Sequence, residues 1–114
     1  MKIWVDDIRP APDGYQWCKS VNDAKEIIMF CEDPNFFPSY TPSLKITYEP
    51  IKIDLIDIDH DAGDYANDGG DFINLLNWLE KTGRNYPIRI HSMNPVGKEN
   101  MRRIIRSNGW TEVF

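Results

Sequence analysis

Five aspartates and no Lys or Arg fall in the stretch IDLIDIDHDAGD, residues 53 to 64. Its first half is apolar enough for a buried strand, and its second half reads as a loop. A strand that leaves the core through Asp59-His60-Asp61 must find partners for its carboxylates, because a crowded, uncompensated group of them repels itself. A second acidic pair, Asp6-Asp7, follows the apolar KIWV. Asp6, Asp7, Asp59 and Asp61 together offer the oxygen ligands that hard divalent cations take, Mg2+ first and Mn2+ as an alternative. The chain has only two histidines, His60 and His91, and each stands where an apolar segment turns polar. Imidazole titrates near neutrality, so the two suit a general base and a general acid. A purely structural role beside the carboxylates, or ligation of a softer metal, is open to each.

Next to this acidic set the sequence holds the makings of an anion site. Asn94-Pro95 is a good N-cap and first helical position. A helix starting there presents backbone N–H groups and a positive dipole end. Ser92, Asn94, Lys98 and Arg102 are candidates to bind phosphate at that helix start, Lys98 and Arg102 lying one turn apart on one face. Arg103 and Arg106 read as a solvated face. Seven aspartates run from Asp54 through Asp71 without a basic residue; six basic residues with one acid, Glu99, run from Arg84 through Arg106. A cation and an anion side by side fit this division, as do two solvated surfaces of opposite sign. The net charge of -5 disfavours non-specific binding to a polyanion, so bulk duplex nucleic acid is not an expected partner.

These residues need elements to hold them. KIWV and YQWCKS read as strands, and IRPAPDG between them cannot be helix. Ser20 to Asp23 resembles a capping box, and Val21, Ala24, Ile27, Ile28 and Cys31 recur at helical spacing. IKIDLIDID is a third strand, apolar enough to be covered on both faces. DFINLLNWLEK is a helix, PIRIH a fourth strand, residues 94 to 107 a third helix, and WTEVF a fifth short strand. Residues 32 to 50, with four prolines, read as an irregular insertion in which LKITYE is an extra strand or hairpin arm. Strands alternating with helices predict a mostly parallel five-stranded sheet in one domain over 1–114. In such sheets ligands bind beyond the carboxyl ends of the strands, where the acids and histidines fall. Cys18 and Cys31 lack metal-ligand spacing and read as reduced core thiols. With no leader pattern and no apolar run of membrane-spanning length, the cytoplasm is the expected location and no membrane an expected partner.

Once placed at strand ends, these acids resemble those of a response-regulator receiver domain. Asp6-Asp7 match the acidic metal pair, Asp59 the phosphoacceptor and Ser92 the hydroxyl position. Two features depart from it: IRPAPDG replaces the first receiver helix, and no lysine follows the fifth strand. A divergent receiver-like family, the cyclic-phosphate-processing receiver domain, is the closer resemblance. Its pattern V-D-D-x-R-P-A-P, then D-H-D, then H-S-x-N-P-x-G is similar to VDDIRPAP (Val5 to Pro12), DHD (Asp59 to Asp61) and HSMNPVG (His91 to Gly97). Ala62-Gly63 stands where the family usually has Leu-Gly. The resemblance implies a receiver-like (flavodoxin-like) three-layer α/β sandwich with the first receiver helix lost. It implies a metal-assisted phosphoesterase that opens a cyclic phosphate on a nucleotide or RNA end, with Asp59, His60 and His91 catalytic. A phosphorylation switch on Asp59 and a module that senses a phosphate ligand without turnover are the alternatives. None of these readings accounts for Asp57, a charged residue inside the third strand.

Overall fold

The computed structural model describes residues 1–33, 36 and 49–114. The extra strand expected at LKITYE lies, but for Glu49, outside the described residues. The elements in chain order are β1 (Lys2–Val5), β2 (Tyr15–Cys18), α1 (Val21–Glu32), β3 (Leu55–Ile58), α2 (Ile73–Lys81), β4 (Ile88–Ile90) and α3 (Pro95–Ser107), with a 3-10 turn at Gly63–Asn67. The sheet runs β2-β1-β3-β4 and every pair is parallel. The sheet has four strands where five were expected. The C-terminal segment meets β4 through one bridge, Ile88 to Glu112, where Ile88 N–H donates to the Thr111 carbonyl and Val113 N–H to the Ile88 carbonyl. It extends no further because β4 is only three residues long and Arg102 Nε holds Glu112 to α3 at 2.8 Å.

Alternation along the strands divides the sheet's two faces. Ile3, Val5, Cys18, Ile56, Ile58, Ile88 and Ile90 enter one core with Val21, Ala24, Ile27 and Ile28 of α1, Leu75, Leu76 and Leu79 of α2, and Met101 and Ile105 of α3. The three helices therefore share one face. Trp4, Trp17, Asp57 and Arg89 follow the other phase, adjacent in register across the sheet. Among the described residues no helix covers that face. The β1–β2 loop stands there in place of the receiver's first helix, held by the Trp4 indole N–H donating to the Arg9 carbonyl at 2.9 Å. The third layer of the expected sandwich is, in the described residues, this loop.

Caps fix where two helices begin. Ser20 Oγ accepts from Asp23 N–H at 3.0 Å, and Asn94 Oδ1 accepts from Gly97 N–H at 3.0 Å. At the far end of α1, Arg84 forks onto Glu32 at 2.8 to 3.0 Å, with the Tyr86 hydroxyl on the same carboxylate. Burial alone would raise the Glu32 carboxyl, but Arg84 and Tyr86 outweigh it and hold it below its ordinary value. Cys18 and Cys31 are free and buried, and burial pushes the Cys31 thiol up to about 11. No helix of the described residues is long and apolar enough to cross a membrane.

One glycine positions a histidine. Gly97, in the first turn of α3, lies against His60, and a Cβ there would come within 2.5 Å of the imidazole ring. Alanine exceeds glycine in helix propensity by about 1 kcal/mol, but overpacking typically costs about 1–3 kcal/mol. Gly97→Ala is therefore expected to lower the Tm followed by circular dichroism. A raised Tm would mean that the ring is not packed against this turn.

Candidate metal and phosphate site

Adjacent strands bring the acids together. The register sets Val5 beside Ile58, and Asp59 N–H donates to the Val5 carbonyl at 2.9 Å, so β1 and β3 end side by side. One carboxylate oxygen each from Asp6, Asp7 and Asp59 then lies within 4.8 Å of the others. Asp6 is buried, and its Oδ1 accepts from Ile8 and Arg9 N–H, both at 2.9 Å, which turns the chain away from the sheet. Asp59 Oδ1 accepts from His60 N–H at 2.8 Å. Gly63, with φ of 53°, closes the following loop onto Asp7; a Cβ there would come within 2.3 Å of Oδ2.

Among the described residues no Lys or Arg pairs with any of the three. Burial, and behind it the carboxylates of Asp6 and Asp59, hold the Asp7 carboxyl above its ordinary value. A divalent cation would relieve that repulsion, and an all-oxygen set suits a hard one. The donors present therefore fit a metal. Asp61 stands outside the group: it is exposed, and its Oδ1 is 2.8 Å from His60 Nδ1.

The two histidines occupy different settings. His60 projects toward α3, with Nδ1 on Asp61 and, among the described residues, no hydrogen-bond partner at Nε2. His91 has both nitrogens engaged, Nδ1 with Asp57 at 2.7 Å and Nε2 with Asp6 at 2.9 Å. Its ring stacks on Trp4, with centroids 3.9 Å apart. His91 thus has no nitrogen turned to a substrate.

The anion side is sparser than the sequence suggests. Pro95 has no N–H, Gly97 N–H is taken by the Asn94 side chain, and Lys98 N–H by the Asn94 carbonyl. Among the described residues Val96 alone keeps an unpaired N–H in the first turn of α3. Asn94 Oδ1 is spent on that cap, and its Nδ2 lies 3.5 Å from Asp61. Ser92, buried, accepts from Asn94 N–H at 3.0 Å and keeps its own proton to donate. Lys98 is half-buried, with no ion pair among the described residues. Arg102 does not join this group, since its guanidinium binds Glu112 and lies over Phe114.

The sequence reading missed Asp57, Trp4 and Arg9. Asp57 was visible as a charge in an apolar strand, and strand alternation sets it on the face that Arg89 and His91 share. Arg9 sits in the loop after Asp7, and its Nη1 donates to the His91 carbonyl at 3.3 Å. Nothing in the local pattern marks Trp4 as the surface on which His91 lies.

Comparison with known proteins agrees with this geometry. Residues 1–107 match the model of the family described as the cyclic-phosphate processing Receiver domain. Neither the curated proteins nor the solved structures hold a significant match. The matched span takes in Asp6-Asp7, Asp59 to Asp61 and His91 to Gly97, so the chain belongs to the cyclic-phosphate-processing receiver domain family.

Proposed function

We propose that the protein is a divalent-metal-dependent hydrolase that opens a cyclic phosphate on a nucleotide or an RNA end. The observation that carries this reading is the convergence of three carboxylates without a basic partner beside a histidine that keeps a ring nitrogen open. Mg2+ or Mn2+ held by Asp6, Asp7 and Asp59 would polarise a phosphoryl oxygen and offset negative charge there. Asp61, on His60 Nδ1, orients the ring and favours the tautomer that leaves Nε2 unprotonated. Nε2 takes a proton as a water oxygen forms its bond to phosphorus. One ester P–O bond of the ring breaks, and the same nitrogen returns the proton to the departing alkoxide. The Ser92 hydroxyl and Lys98 supply donors for the phosphoryl oxygens. His91 holds Asp6 and takes no part in proton transfer.

Exposed apolar side chains flank these groups. Ile8 follows Asp7, Tyr65 lies in the 3-10 turn after Gly63, and Met93 and Val96 bracket Asn94-Pro95. Such a rim suits a nucleobase better than a bare sugar.

Turnover of 2′,3′- and 3′,5′-cyclic nucleotides and cyclic-ended RNA tests the proposal. The wild type is expected to form a linear monoester with Mg2+ or Mn2+ and none with chelator. His60→Ala is expected to lower the rate by about 10²–10⁴-fold. Metal-dependent ligand binding without product would favour the sensing module instead.

Repulsion at Asp7 gives a second test, with a definite sign. A carboxyl whose folded pKa is raised disfavours the ionised native state. Its cost is present above the folded pKa and fades as pH falls through that value. In chelator near neutral pH, Asp7→Asn is therefore expected to raise Tm, by less as the pH is lowered. With Mg2+ the wild type is expected to gain more Tm than the variant. A lowered Tm in chelator, or equal gains with Mg2+, would contradict the arrangement.

A further inference from the structure

Asp57 is a carboxylate 1 % exposed in the middle of β3. Burying an ionised group there is costly unless it is paired and hydrogen-bonded. Strand pairing does not require it, because the parallel register between Asp57 and Arg89 is a backbone matter. Its side chain is nevertheless committed. Oδ1 lies 2.7 Å from His91 Nδ1, and Arg89 Nη1 stands 3.8 Å from Oδ2. Beyond the ring, His91 Nε2 lies 2.9 Å from Asp6 Oδ2. An ionised carboxylate only accepts, so with both acids ionised each ring nitrogen serves as a donor. Trp4 lies against the ring at an interplanar angle of 5°, which fixes its plane.

Asp6 is therefore held at both oxygens. Backbone N–H groups of Ile8 and Arg9 grip Oδ1, and His91 grips Oδ2. Without an anchor at Nδ1 the imidazole is free to turn about its χ2 bond, and Oδ2 loses its fixed donor. Groups behind a metal ligand set its orientation, and removing them typically costs about 10–100-fold in affinity. We infer that Asp57 is a positioning residue that acts through His91 to aim the Asp6 carboxylate at the cation site. The inference rests on the reading of Asp6 as a cation ligand.

Two measurements on the full chain test it, with Asp57→Asn as the variant and Asp57→Ser should the first fail to fold. The first titrates Mn2+ by electron paramagnetic resonance. The variant is expected to bind about 10–100-fold more weakly than the wild type. The second records the ring N–H protons of 15N-histidine-labelled protein without metal. The wild type is expected to show exchange-protected protons on both His91 nitrogens, and the variant to lose protection at Nε2 although Asp6 is intact. Retained Nε2 protection with unchanged Mn2+ affinity would overturn the inference and leave Asp57 a structural residue. A wild type that binds no Mn2+ would remove the cation reading alone, and the Nε2 proton would then decide the role of Asp57.

Discussion

The pairing of β1 with β3 brings Asp6, Asp7 and Asp59 to one sheet edge, and their mutual repulsion governs what surrounds them. Each acid meets that cost differently. Asp6 is buried and takes two backbone N–H groups and His91. Asp59 takes the His60 N–H. Asp7 receives neither a basic partner nor a histidine, and its carboxyl is held up by burial and by its neighbours. A stable fold with one acid so placed has stored an attraction for a cation at that point.

The rest of the edge follows from this. The Asx turn at Asp6 and the prolines after it shorten the β1–β2 connection to a loop, and the sheet face beneath stays free of helix among the described residues. That openness lets Trp4 lie on His91 and lets Asp57 reach the same ring. On the other face, the small residue at Gly97 lets α3 approach until it touches His60. The two histidines are separated by the sheet: one is locked among acids, the other is oriented by Asp61 with a nitrogen to spare. A receiver-like sheet is here arranged around two different uses of imidazole.

Much of this was legible from the residues alone. Helical spacing in α1 and α2, the Ser20 and Asn94 caps, and the polar exits of β1, β3 and β4 follow from short-range rules, and the structure bears them out. What escaped depends on contacts between distant segments. Arg102 lay correctly on the Lys98 face of α3, but its choice of Glu112 depends on where the C-terminal segment returns, and the same ion pair limits the fifth strand to one bridge. Asp61 turns from the acidic group to His60 because the loop leaves the sheet after Asp59. The link from Asp57 to His91 needs the β3–β4 register, which no single strand specifies.

The most direct measurement is anomalous diffraction at the manganese edge, from crystals of the wild type grown with Mn2+. The account predicts one strong peak bonded to an oxygen from each of Asp6, Asp7 and Asp59, with Asp61 still on His60. A peak elsewhere, or none at these three carboxylates with Mn2+ in excess, would contradict it.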